Sequence, residues 1–308
     1  MKRKILLGIL AILVALTAYF LFSFSKEPKE LTTNIDIENK VITESTVEDP
    51  AENDASFASL FGSIAQSLSA SISDNLSLLA AAVSPDVKIV KITPGMRKEE
   101  IATVLQNKLA WNDGEKDKFL NVNKLVNTSN AEGYYYPDSY IISLEADGYE
   151  VGKLMINRFN DKVMSRYASS TAKIINVDTA MKVASIIERE AAGKNDMRLI
   201  SGIMWNRIFK DMTLDMDATL QYVKGNEKTG WWPKIGSEDK FLVSPYNTYK
   251  NKGLTPTPIS NPQLVSIEAA LNPKKTSCLF YLHDKYRRIH CSVTYKEHVR
   301  NIERYYGR

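Results

Sequence analysis

The chain has 308 residues, 44% of them hydrophobic and 25% charged, with a formal net charge of +4. That length and mix suit a globular protein of one large or two small domains. The small net charge, without an Arg-rich helix, argues against nucleic-acid binding, and two cysteines and three histidines leave little material for a metal site.

At the N-terminus Lys2-Arg3-Lys4 precedes an uncharged apolar run from Ile5 to Phe24. At about 1.5 Å per residue it spans about 30 Å, one hydrocarbon thickness. Residues 1–25 are therefore expected to form a cytoplasmic tip and a transmembrane anchor, with the rest of the chain outside. A cleaved signal peptide is the competing reading, and Ser23-Phe24-Ser25 matches its cleavage signal poorly. Residues 26–85 read as a disordered or low-complexity stalk. The first half is acidic and lacks aromatics. The second half is biased to Ser, Ala and Leu, and Phe57, Phe61, Ile64, Leu68, Ile72 and Leu76 fit either a weak amphipathic helix or a linker.

Folded structure is expected from about residue 86. Val87 to Thr93 alternates and is β-branched, which predicts a strand. Pro94-Gly95 marks a turn, and Ile101, Val104, Leu105 and Leu109 give helical spacing over 98–109. This small α+β unit, placed at 86–127, suits either sugar-chain binding or scaffolding. The remainder, 128–308, is expected to be a second domain. It opens on Glu132-Gly-Tyr-Tyr-Tyr-Pro-Asp-Ser-Tyr140, an aromatic cluster that suits the wall of a polar-ligand site or a packing corner. A helix over 151–167 would bury Leu154, Met155, Phe159, Val163 and Met164.

The most informative stretch is Val183 to Glu190. Val183, Ile186, Ile187 and Glu190 share one face of a helix, with Glu188 pointing about 160° away. A carboxyl centred on an apolar stripe is desolvated, which raises its pKa and suits a general acid. Asp178 is the expected cap of this helix, Gly193 its expected stop, and Asp196 the expected cap of the next. Asp217 is placed at a further helix start, where capping alone would explain it. The prolines in Gly253-Leu-Thr-Pro-Thr-Pro-Ile259 predict stiff irregular loop, and Asn261-Pro262 opens a helix to about Leu271.

Leu279 to His283 and Arg288 to Val293 read as a hairpin. A two-residue loop at Asp284-Lys285 sets Cys278 opposite Cys291, so a disulfide is feasible; a longer loop would shift the register and remove it. A zinc site from His283, His290, His298 and Cys291 matches no usual ligand spacing.

Taken in order, these motifs resemble the endolytic murein transglycosylases of the bacterial inner membrane, the YceG-like family. The resemblance rests on the N-terminal apolar run, the strand-Pro-Gly-Met-Arg-helix unit at 92–109, Glu132 to Tyr140, and Ala184-Ser-Ile-Ile-Glu-Arg-Glu190. It continues through Trp205-Asn-Arg207, Leu214 to Thr219, Pro245-Tyr-Asn-Thr-Tyr249, Gly253 to Ile259, and His290 with His298. It implies an α+β architecture: a transmembrane helix, a stalk, a small LysM-like subdomain, and a mixed helical catalytic domain with a lysozyme-like catalytic helix and short strands. It further implies cleavage inside peptidoglycan glycan strands without hydrolysis, leaving 1,6-anhydro-muramoyl ends, and proximity to the peptidoglycan synthesis machinery. No cofactor or metal is implied. Glu190 takes the position of the catalytic acid. Tyr246, Asn247, Thr248 and Tyr249 would orient the sugar, and Glu132, Tyr136, Asp217 and His290 complete the expected substrate-binding set. The chain departs from the family pattern at Asp215, Ala218 and Ser292, where glutamine, proline and an aromatic are usual. A non-catalytic wall-binding tether and a hydrolytic muramidase are the alternative readings.

Overall fold

The computed structural model describes residues 29–44, 86–122 and 131–307. The apolar run at 5–24, and the parts of the expected stalk at 26–28 and 45–85, lie outside the described residues. Among the described residues no helix is long and apolar enough to cross a membrane.

One part of the expected stalk belongs to the folded body. β1 (Ile35–Asp36) pairs antiparallel with β2 (Val41–Ile42). Leu31, Ile35 and Ile42 are buried in the same core as Val183 and Ile187. Thr33 Oγ1 donates to the Leu271 carbonyl at 2.7 Å, and Asn272 Nδ2 donates to the Thr32 carbonyl at 2.7 Å. The acidic composition of this stretch concealed three well-spaced apolar anchors, whose burial offsets the ordering cost of so short a piece.

The first α+β unit is larger than expected. β3 (Val87–Lys91) leads into α1 (Lys98–Leu109) and α2 (Asp113–Leu120). β3 then pairs antiparallel with β4 (Ser139–Ser143), Ile89 facing Ile141. A strand beyond residue 128 thus completes the sheet that β3 begins. α3 (Gly148–Lys162) packs on α2 so closely that a Cβ on Gly148 would sit 2.1 Å from the Glu115 carbonyl oxygen. Val90, Ile101, Leu105, Phe119, Tyr135, Ile142 and Met155 form one apolar cluster here. Leu154 and Met164 do not join the buried face of α3 as expected: each is 41% exposed, and Met164 lies past the end of the helix.

The second core surrounds the helix that carries Glu190. α4 (Ser169–Ile174) precedes α5 (Val177–Glu190), which is buried on most sides: Met181, Val183, Ala184, Ile186 and Ile187 are all solvent-inaccessible. Asn176, not Asp178, caps α5, accepting from the Thr179 amide at 2.8 Å; Asp178 pairs with Lys182 instead. The helix stops at Glu190, and Gly193 serves as the N-terminal flank of α6 (Lys194–Phe209). α7 (Asp217–Lys224) and α8 (Leu264–Leu271) pack against α5. β5 (Phe280–His283) and β6 (Ile289–Ser292) form the last hairpin, covered by α9 (Tyr295–Tyr306). Short antiparallel strand pairs among many helices make this an α+β fold.

The hairpin differs from expectation in register and agrees in chemistry. Tyr281 faces Cys291, and the loop runs over 284–288 rather than two residues. Cys278 lies just ahead of β5, with its Cα 5.9 Å from that of Cys291, and the two form a disulfide. Irregular backbone before the strand supplies the approach that the two-residue loop was expected to give.

Candidate active site

Glu190 ends α5 where the buried helix meets solvent. Its carboxyl lines a pocket of about 370 Å³ with Asp217, Tyr249, Tyr281, Phe280 and Arg207. Both oxygens are held. Oε1 accepts from the Ala218 amide at 3.0 Å, and Oε2 accepts from the Tyr281 hydroxyl at 2.9 Å. Ala218 is the second residue of α7, so Glu190 caps that helix from a different element. Burial nevertheless holds its carboxyl above the ordinary range; the two hydrogen bonds and the charge of His283 oppose that rise, and the charge of Asp217 adds to it.

The neighbouring helix start is built by the 245–249 loop. Tyr249 Oη donates to Asp217 Oδ1 at 2.6 Å. Thr248 stands behind the pocket: its Oγ1 accepts from the Met216 amide at 3.1 Å and lies 2.9 Å from Thr219 Oγ1. Asn247 is fully buried, and its amide donates to the carbonyls of Lys240 and Leu242 at 3.0 and 2.7 Å. That clamp positions Lys240, whose ammonium sits 4.7 Å from the Tyr249 ring centroid at the pocket wall. Tyr246 bonds Thr257 and packs on Tyr222, away from the pocket lining.

Glu132, Tyr136 and His290, also expected at the site, lie elsewhere too. Glu132 is fully buried and accepts from the Lys98 amide at the start of α1, at 3.1 and 3.2 Å, and from Asn261 Nδ2 at 2.9 Å. It ties the first unit to the loop before α8, and burial pushes its carboxyl up to about 8. Tyr136 packs against the second core, and its carbonyl accepts from the Tyr140 hydroxyl. His290 bonds Asp284 at 3.0 Å and stacks on Tyr305 at 3.8 Å. Aromatic and polar composition marked these segments, and composition alone does not separate a ligand wall from an internal brace.

Other pocket residues had no role assigned from sequence. Tyr281 is 91 residues from Glu190, and its strand register was not readable. Arg207 lay within the Trp-Asn-Arg motif. It donates to the carbonyls of Leu279, Thr213 and Leu214 and to Asp215, holding two sides of the pocket together. Phe280 with Tyr295, His298 and Ile302 of α9 forms the remaining wall. Among the described residues no three His, Cys, Asp or Glu converge as metal ligands. Cys291 is in the disulfide, while His283 and His290 go to separate carboxylates, Asp196 and Asp284.

Known proteins are similar to the chain in sequence, and one solved structure is similar in fold. The chain is 32% identical to an endolytic murein transglycosylase of Bacillus subtilis over 231 residues, which are 75% of this chain and 62% of that protein. It is 29% identical to an endolytic murein transglycosylase of Streptococcus pneumoniae over 175 residues, 56% of this chain and 31% of that protein. The chain thus spans less than two thirds of the length of these relatives. The crystal structure of a yceG-like protein from Listeria monocytogenes superimposes with a TM-score of 0.62 at 28% identity, covering 71% of this chain and 76% of that one. The model of the YceG-like family matches residues 48–304, and the chain belongs to that family.

Proposed function

We propose that the chain is an endolytic lytic transglycosylase that cuts the β-1,4 bond between N-acetylmuramic acid and N-acetylglucosamine inside peptidoglycan strands. One observation carries the reading. Of the three carboxyls that line the pocket, Glu190, Asp215 and Asp217, it is Glu190 that has both oxygens oriented by hydrogen bonds and its neutral form favoured by burial. Family membership and the names of the relatives support it.

Neutral Glu190 protonates the glycosidic oxygen as the bond opens toward an oxocarbenium-like state. The carboxylate left behind takes the proton of the muramoyl 6-hydroxyl, which attacks the anomeric carbon of its own ring. Proximity gives that hydroxyl a large effective molarity, so the reaction needs no second carboxylate and no water. Asp217, bridged to Tyr249, lies beside the acid and raises its affinity for the proton.

The wider setting belongs to the same proposal. The apolar run at 5–24 tethers the enzyme to the bacterial cytoplasmic membrane with its pocket outside. The unit that begins at β3 acts as a LysM-like glycan-binding subdomain. Cleavage there terminates or trims new strands beside the synthesis machinery.

Mass analysis of purified peptidoglycan digested by the wild type and by Glu190→Gln tests the assignment. Anhydro-muramoyl ends from the wild type and none from the variant are expected. Ends heavier by one water would make the protein a hydrolase, and full activity in the variant would remove Glu190 from the chemistry. Glycan binding without new ends would make it a tether.

A further inference from the structure

The hydrogen bonds around Glu190 distinguish its two oxygens. A backbone amide can only donate, so Oε1, facing the Ala218 N–H, is the oxygen without a proton when the carboxyl is neutral. The proton then sits on Oε2. Its neighbour is a hydroxyl, which can donate or accept. The Tyr281 hydroxyl has a second partner: Met216 Sδ lies 3.5 Å away, a weak acceptor on the residue that flanks α7.

We propose that Tyr281 is a two-position hydroxyl that serves both protonation states of Glu190, with Met216 sulfur as its second acceptor. This rests on the assignment of Glu190 as the acid. At rest Oε2–H donates to Tyr281, whose own hydrogen turns to Met216 Sδ. Arriving substrate draws the Oε2 proton to its glycosidic oxygen. Tyr281 then turns and donates to the new carboxylate across the same 2.9 Å that separates the two oxygens. When the carboxylate takes the 6-hydroxyl proton, Tyr281 turns back. The tyrosine hydrogen is never transferred, and Glu190 ends neutral, as it began.

The same arrangement gives the two substitutions opposite signs. Tyr281→Phe removes the donor to the carboxylate, so the neutral acid is favoured. Met216→Leu keeps the volume of a buried side chain and removes the second acceptor, so the neutral acid is disfavoured. Other charges near Glu190 are common to both variants. Asp217, His283 and Arg189 act on it directly. Asp215, Lys240, Arg207 and His298 line the same pocket.

The test is a titration of the Glu190 side-chain carbon by 13C NMR in substrate-free wild type, Tyr281→Phe and Met216→Leu, each first shown to melt cooperatively. The midpoint should move up in Tyr281→Phe and down in Met216→Leu. The alkaline limb of kcat against pH should follow the same order. Loss of the charge-assisted donor should lower kcat in Tyr281→Phe about ten- to a hundredfold. Midpoints that do not move, or move in the same direction in both variants, overturn the proposal. The titration needs no substrate, so it judges Tyr281 even if wild-type protein yields no anhydro ends, a result that would instead remove the assigned reaction. Should Tyr281→Phe fail to fold, Met216→Leu decides: a midpoint that rises or stays fixed overturns the proposal.

Discussion

Glu188 and Glu190, two positions apart on α5, close the N-termini of two different helices. Glu188 accepts from the Gln263 amide at 3.0 Å and from Ser266 Oγ at 2.6 Å, at the start of α8. Glu190 accepts from the Ala218 amide, at the start of α7, and only Glu190 lines the pocket. The pair thus divides between a brace and the proposed acid. Glu190→Gln should lower peptidoglycan cleavage by at least about 100-fold with an unchanged circular dichroism spectrum. Glu188→Ala should keep wild-type kcat while losing about 1–3 kcal/mol of stability in urea titration. An inactive, stable Glu188→Ala would reverse the division.

Glu132 makes stability depend on pH. Its carboxyl is raised from 4.5 to about 8 by burial. Below about 4.5 both folded and unfolded chains hold the proton. Between about 4.5 and about 8 the unfolded chain releases it and the folded chain keeps it, so stability falls as pH rises. Glu190, also raised, acts in the same direction. Melting temperatures measured from pH 4 to 9 should decline over this window, and Glu132→Gln should flatten the decline. An unchanged slope in the variant would show that Glu132 is ionised in the fold.

Arg207 is a clamp whose shape matters. Its guanidinium reaches the carbonyls of Leu279, Thr213 and Leu214 and the Asp215 carboxylate, at 2.6 to 3.0 Å. Lysine keeps the charge and loses the fork. Arg207→Lys should cost about 2–4 kcal/mol and lower kcat, because the strand carrying Tyr281 and the segment leading into α7 are held by the same group. Equal stability of the two proteins would mean that the buried carbonyls find other donors.

The Cys278–Cys291 disulfide closes a sequence separation of 13 residues. A loop of that size corresponds to about 3 kcal/mol in the chain-entropy account, or roughly 6–12 °C in melting temperature. Cys291 is the ladder partner of Tyr281, so the bond also fixes the strand beside Glu190. Cys278→Ser/Cys291→Ser should melt lower by that amount and lose activity at a lower temperature than the wild type. Two reactive thiols per chain in denatured, unreduced wild-type protein would show that the bond is not formed.

How much of this was readable from sequence depended on distance along the chain. Helical periodicity placed Glu190 on the apolar face of α5 and Glu188 off it, since both follow from 100° per residue. The helix start at Asp217 was equally local. Periodicity names faces, however, and not what meets them. Tyr281 reaches Glu190 only because a five-residue loop sets the hairpin register, and Glu132 is drawn from the pocket by an amide 34 residues earlier. The anchors Leu31, Ile35 and Ile42 were obscured by the charged residues between them, which composition averages together.

The cap that Glu190 places on α7 has a thermodynamic corollary. An anionic carboxylate stabilises a helix N-terminus more than a neutral carboxyl does. The proton on Glu190 is therefore a ligand that weakens the first turn of α7 when it binds. By reciprocity, tightening that turn weakens proton binding. Under the proposed function, sugar contacts that order Asp217 and Tyr249 would thus lower the proton affinity of Glu190 as the substrate seats. The pocket wall and the acid strength form one coupled equilibrium, and amide exchange at Ala218 measured against pH would read both at once.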